Sequence, residues 1–230
     1  MINRMNESKT EIKICGLTKP EEAGYLNEYG VDYAGFVFYE KSRRNISFER
    51  AEEIMRGLDK GIKRVAVTVS PDASLIKSIE EHGFDIIQIH GDMSEEAVKA
   101  AGIPVWLALN PAKEDDMYEK RKFYEEIIKK ADGKIKGVLM DAPQFGSGKP
   151  FNWHKSRRLL KAGDRSSPFE GLKIILAGGL DSQNVAEGIG IFEPDVVDVS
   201  SKVEDENGKS REKIKDFVNA VKSAKEIRHE

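Results

Sequence analysis

Residues 11–38 read EIKICGLTKPEEAGYLNEYGVDYAGFVF, and they hold one complete instance of the pattern that decides the fold. A short apolar run, EIKIC at 11–15, gives way to an amphipathic stretch over 20–29. A second apolar run, DYAGFVF, follows at 32–38. Runs of this length, rich in β-branched and aromatic residues and separated by a helical pattern, spell a βαβ unit with parallel strands. The pattern recurs along the chain. Further strands are expected at 63–69, 85–90, 104–109, 135–140, 173–177 and 195–199. Helices are expected at 48–57, 72–82, 94–101, 114–131, 153–162, 182–189 and 210–226. Near-continuous apolar strands suit a sheet covered on both faces. Eight such units in 230 residues predict a single α/β domain, a (β/α)8 TIM barrel with a parallel eight-stranded sheet. A doubly wound open sheet is the competing architecture.

The domain is expected over 11–226, with a polar N-terminal extension at 1–10 and a polar tail at 227–230; no repeat, low-complexity segment or Pro/Gly-rich linker divides it. Net charge is −3, which argues against a generic nucleic-acid binder. No apolar run approaches the roughly 18–20 residues of a membrane span. The first ten residues lack the apolar centre of a signal peptide. A single cysteine cannot form an internal disulfide, so a cytoplasmic location is expected. Four scattered histidines and one cysteine give no zinc-like spacing, so no metal is expected.

A barrel carries its chemistry where the strands end. The first strand ends in Cys15, the sixth in Asp141, the fourth in His90. The second leads into EKSRRNIS with Lys41, Arg43 and Arg44. AGGLDSQNV follows the seventh and DVSSK the eighth. Glycines and serines on these last two loops suit an oxyanion, because free N–H groups and hydroxyls converge there. Each feature also has a bland reading. Cys15 can be a small packed hydrophobe, Gly178 and Gly179 a tight turn, Ser201 a cap, His90 a hydrogen-bonded structural residue and the arginines a solvated face. GSGK at 146–149 is not a P-loop, since Pro143 and Pro150 occupy the first-glycine and Ser/Thr positions. It reads as a loop closing over a ligand or as an ordinary surface turn.

Taken in order, KICGLT, GFVFYEKSRRNIS, IIQIHGD, VLMDA…GSGKPFNW, LAGGLDSQNV and VDVSS resemble the phosphoribosylanthranilate isomerases of tryptophan biosynthesis, over residues 12 to about 220. The resemblance implies a cofactor-free Amadori rearrangement of N-(5-phosphoribosyl)anthranilate to 1-(2-carboxyphenylamino)-1-deoxyribulose 5-phosphate. It implies Cys15 as general base and Asp141 as general acid. Arg44 would hold the anthranilate carboxylate, His90 would line the site and Asp198 would lie near the ribose hydroxyls. Gly178, Gly179, Ser200 and Ser201 fit the phosphate-binding positions. The partner implied is the small phosphosugar–anthranilate substrate, with no nucleic acid or membrane, for a stand-alone monomer or homodimer. A thiolate base demands surroundings that favour the anion, and a carboxylic acid demands the reverse.

The chain departs from the family's usual pattern at Lys202, where glycine is common, at GKSRE, at Phe145 and in FNW. If that glycine has positive φ, its replacement is costly; otherwise Lys202 adds charge near the phosphate. Two other readings are a related barrel isomerase for another phosphosugar, and a non-catalytic phosphometabolite-binding barrel.

Overall fold

The structure, a computed structural model, describes residues 10–109, 117–141, 153, 156–157 and 169–226. Its eight parallel strands are β1 (Glu11–Cys15), β2 (Tyr33–Phe38), β3 (Lys63–Val69), β4 (Ile86–His90), β5 (Val105–Leu109), β6 (Ile135–Met140), β7 (Lys173–Leu176) and β8 (Val196–Val199). Each pairs with the next, and β8 returns to pair with β1. The sheet is therefore a closed barrel, not a doubly wound open sheet. Helices Glu21–Tyr29, Phe48–Met55, Ala73–Glu81, Glu95–Ala100 and Met117–Lys130 follow the first five strands; Val185–Phe192 and Arg211–Glu226 follow β7 and β8. Of the helix expected at 153–162, only Trp153, Ser156 and Arg157 are described. The rest of it, the GSGK loop, residues 114–116 and the terminal segments 1–9 and 227–230 lie outside the described residues.

Strand periodicity sorts the core into two compartments. Alternate residues such as Ile12, Ile14, Ala34 and Phe36 face outward into the layer beneath the helices. The intervening set, including Cys15, Tyr33, Val65, Trp106 and Ile175, fills the barrel interior. Strand register stacks these inward residues in layers drawn from alternate strands. Lys13, Val65, Trp106 and Ile175 come from the odd strands. Above them lie Gly35, Gln88, Leu139 and Asp198 from the even strands, and then Cys15, Val67, Ala108 and Ala177. Size complements size: a Cβ on Gly137 would stand 2.7 Å from the Trp106 ring.

Four strands start one residue later than the apolar pattern suggests, at Tyr33, Ile86, Val105 and Val196. Three of the dropped residues are aspartates with a separate task. Asp32 accepts the Ile12 N–H at 2.8 Å, Asp85 that of Arg64 at 2.7 Å and Asp195 that of Ile174 at 2.7 Å. Each carboxylate thus satisfies a backbone donor of the preceding strand at the bottom of the barrel. The seventh helix begins three residues later than expected because Asp181–Asn184 first closes on itself. The Asp181 carboxylate accepts from the N–H groups of Gln183 and Asn184, and the Asn184 side chain bonds back to Asp181 N and Gly179 O. Local side-chain bonds of this kind compete with helix initiation.

Candidate active site

The strand ends surround a cavity of about 540 Å3. Cys15, Arg44, His90, Asp141, Gly178, Gly179, Asp198, Ser200 and Ser201 all line it. Residues from six strand ends, up to 186 positions apart in the chain, therefore meet in one concavity.

Cys15 is buried and closes β1. Space for it comes from β2, where Gly35 is its register partner; a Cβ there would lie 3.0 Å from the sulfur. Gly16 has φ +83° and lets the arginine loop settle on the strand end, since a Cβ would lie 2.3 Å from Arg44 Cδ. These two contacts account for glycine at both positions. Lys13, two residues before Cys15 and on the same inward face, is completely buried, with Nζ 2.9 Å from Asp198 Oδ2 across the β1–β8 seam. Burial opposes the lysine's charge, but Asp198 and the facing thiol hold its pKa above the ordinary value. Burial also pushes the Cys15 thiol up. Lys13 pulls it back, Asp198 adds to the rise and Lys209 opposes it, leaving the thiol above its usual value. The expected preference for thiolate is thus met by the cations and overridden by desolvation.

Among the described residues, the floor carries two buried oxygens with no hydrogen-bond partner, Asp198 Oδ1 and Gln88 Oε1. Gln88 occupies the same layer as Asp198 on the opposite wall, and its Nε2 donates to His90 Nε2 at 2.7 Å. With the amide assigned in that orientation, the imidazole proton sits on Nδ1. Burial, reinforced by the Lys13 ammonium, pulls the His90 pKa down to about 3, so the ring is neutral. A neutral ring with an occupied Nε2 shapes the wall rather than shuttling protons. Asp141 directly follows β6, lines the same cavity and is nine-tenths buried.

Arg44 is held in place before any ligand arrives. Its Nε and Nη2 pair with Glu204 at 2.6 and 2.8 Å. Lys209 binds the same carboxylate at 2.6 Å and Arg43 does so at 2.7 Å. Burial would raise the Glu204 pKa, but Arg44 and Lys209 prevail and bring it down to about 2. Glu204 and Lys209 sit on a small antiparallel ribbon, Glu204–Asp205 with Gly208–Lys209, just past β8. Neither was legible as a site residue, because the arginine partners of Glu204 lie 160 and 161 residues away. Lys13 and Gln88 did carry a signal, the two-residue spacing to Cys15 and to His90 respectively.

The loops after β7 and β8 form the remaining wall. Gly178 and Gly179 have φ +83° and +77°. Gly179, Ser201 and Lys202 give their N–H groups to no backbone acceptor among the described residues. The Ser200 hydroxyl donates to Cys15 O at 2.8 Å, so it ties this loop to β1, whereas the Ser201 hydroxyl has no hydrogen-bond partner among the described residues. Lys202 lies within a single 3-10 turn, Ser201–Val203, and is not among the positive-φ residues. Its backbone therefore carries no glycine-type strain. Its exposed side chain lines the cavity, and among the described residues it pairs with no carboxylate. No cluster of three or more His, Cys, Asp or Glu suited to a metal ion occurs among the described residues. No described helix is long and apolar enough to cross a membrane.

Comparison with known proteins matches residues 12–220 to the family described as N-(5'-phosphoribosyl)anthranilate (PRA) isomerase. The Aquifex aeolicus N-(5'-phosphoribosyl)anthranilate isomerase is 36% identical over 220 residues, covering 93% of this chain and 98% of that one. The Clostridium acetobutylicum protein of the same name is 38% identical over 221 residues, covering 94% and 99%. The Thermotoga maritima phosphoribosyl anthranilate isomerase structure superposes with a TM-score of 0.76 at 32% identity, covering 93% and 99%. Another phosphoribosyl anthranilate isomerase, solved with reduced 1-(o-carboxyphenylamino)-1-deoxyribulose 5-phosphate, gives 0.73 at 30% identity, with 93% and 99% covered. A closed barrel with this cavity, matched along nearly its whole length, places the chain in the N-(5'-phosphoribosyl)anthranilate isomerase family.

Proposed function

We propose that this chain is an aldose–ketose isomerase that converts N-(5-phosphoribosyl)anthranilate to 1-(2-carboxyphenylamino)-1-deoxyribulose 5-phosphate in tryptophan biosynthesis, in the cytoplasm. The observation that carries the reading is the meeting of Cys15 and Asp141 on one cavity floored by two unpaired buried acceptors. Unsatisfied buried acceptors are costly and call for donors, and a sugar chain brings several hydroxyls.

Asp141, protonated, gives its proton to the furanose ring oxygen. The C1–O bond breaks, and the anthranilate nitrogen lone pair forms the C1=N bond of a protonated Schiff base. Cys15 thiolate then removes the C2 proton, and that C–H electron pair becomes the C1=C2 bond of an enolamine while the nitrogen regains its lone pair. The enolamine ketonises by gaining a proton at C1 and losing one from the C2 hydroxyl. Atoms and electrons balance without an external oxidant or reductant. The substrate phosphate rests on the glycine and serine loops after β7 and β8. The anthranilate carboxylate lies toward Arg44, whose Nη1 is not used by Glu204.

Loss of substrate fluorescence tests the reading, with phosphoribosylanthranilate generated in situ. Wild type should turn over, and folded Cys15→Ser and Asp141→Asn should each lose at least about 10²-fold in kcat. No turnover by the wild-type protein would overturn the assignment of substrate. Full activity in either folded variant would remove that residue from the mechanism.

A further inference from the structure

The layer that contains Lys13 is otherwise apolar, filled by Val65, Trp106 and Ile175. A hydrophobic residue would pack there without the desolvation cost of a buried charge. The ammonium nevertheless sits fully enclosed, bonded at 2.9 Å to its cross-strand partner Asp198 and facing the Cys15 thiol. Charged groups from four places in the fold bear on the sulfur. Lys13 comes from β1 and Asp198 from β8. Lys209 belongs to the ribbon, and Arg44 to the loop after β2, and both are joined by Glu204. Across the cavity stand His90, neutral, and Asp141. Around the thiol Lys13, Lys209 and Arg44 face two carboxylates, Asp198 and Glu204, the second also held by the exposed Arg43, so positive charge is in excess beside the sulfur.

We propose that Lys13 is a positioning residue: its ammonium, locked by Asp198, stands behind the Cys15 sulfur as the counter-ion of the catalytic thiolate. The pair sets how basic that thiolate is, and Asp198 turns its second oxygen to the ligand. This rests on Cys15 acting as the base.

The two partners act on the thiol with opposite sign. Lys13 favours the anion and Asp198 disfavours it. Removing the ammonium should therefore move thiol ionisation to higher pH. Removing the carboxylate charge should move it to lower pH. A pair that merely held two strands together would move both variants alike or neither.

Cys15 is the only cysteine in the chain, so iodoacetamide alkylation read by mass reports its thiolate alone, without substrate. Rates would be followed from roughly pH 6 to 11 for wild type, Lys13→Met, Lys13→Arg and Asp198→Asn. Lys13→Met should shift the midpoint upward by about one pH unit or more and slow alkylation about tenfold at a fixed pH below it. Lys13→Arg should retain most of the wild-type rate. Asp198→Asn should shift the midpoint downward and speed alkylation. An unchanged profile in folded Lys13→Met, or an unchanged or upward-shifted profile in Asp198→Asn, overturns the proposal. Should Lys13→Met fail to fold, Asp198→Asn decides alone. Turnover assayed in parallel separates the failures: an inactive wild type with opposed alkylation shifts refutes the isomerase reading but not the role of Lys13.

Discussion

Gly35 and Cys15 are register partners on β2 and β1, packed so closely that a Cβ on Gly35 would lie 3.0 Å from both the Cys15 sulfur and its Cα. The glycine is needed for clearance, since its φ is not among the positive values. Gly35→Ala should displace the thiol by a fraction of an ångström and lower kcat by about 10-fold to 10²-fold, because misplacement of a reacting group is heavily penalised. Steady-state kinetics with circular dichroism as a folding control checks this. Wild-type kcat in a folded variant would mean that the sulfur position is not critical.

Gln88 offers a different signature. Its Oε1 is buried and unpaired, while its Nε2 holds His90. Replacement by Leu removes an unsatisfied acceptor and one hydrogen bond together, two effects of opposite sign, each about 1 kcal/mol. Stability should therefore change by no more than about 1 kcal/mol. If Oε1 accepts a substrate hydroxyl, KM should rise about tenfold. An unchanged KM would place Gln88 outside the contact surface.

Glu204 predicts an acid-sensitive contribution to stability. Its carboxyl pKa falls from the usual 4.5 to about 2 in the folded protein, with burial opposing and Arg44 and Lys209 driving the change. A depressed carboxylate stabilises fully above its unfolded pKa, and that contribution fades as pH falls through the folded value. From 4.5 to about 2 the difference corresponds to roughly 3 kcal/mol. Glu204→Gln should thus cost roughly 2–3 kcal/mol in urea denaturation at neutral pH. The gap from wild type should shrink steadily between pH 4.5 and about 2. A gap independent of pH would mean that packing, not charge, is what Glu204 supplies.

Lys202 lies on the rim beside Ser201, without a carboxylate partner among the described residues. Lys202→Ala should raise KM about two- to fivefold at low ionic strength, and the effect should fade near 0.5 M salt, where the screening length is only about 4 Å. A salt-independent change would point to the loop backbone instead.

What the chain displayed openly, and what it hid, follow from the range of the forces involved. Burial on both faces writes an apolar run for each strand, and that signal is local. The strand ends were equally plain for Cys15, Asp141 and His90, because a polar residue closing an apolar run stands out. Lys13 and Gln88 lie within β1 and β4, so they read as interruptions of the apolar pattern. Only alternation shows that they share the inward face with Cys15 and His90. Glu204 was hidden for another reason: one carboxylate gathers Arg43, Arg44 and Lys209 from two loops, and nothing adjacent to it in sequence announces that. Residues 182–184 were misread as helix because Asp181, Gln183 and Asn184 bond to one another first.

The Lys13–Asp198 bridge also fixes when during folding the site comes into being. Seven of the barrel's strand pairings join neighbours in the chain, and the aspartate clamps close across 20 or 21 residues. The eighth pairing, β1 to β8, carries the bridge across 185 residues. Bringing those ends together costs about 2 kcal/mol more in loop-closure entropy than a 20-residue closure. The seam is therefore expected to shut late, after the local βαβ pairings have formed. Until then Lys13 and Asp198 remain hydrated and apart, and Cys15 lacks its surroundings. Activity should accordingly return after secondary structure in a refolding time course. The thiol's chemistry then serves as a report that the ring of strands is complete.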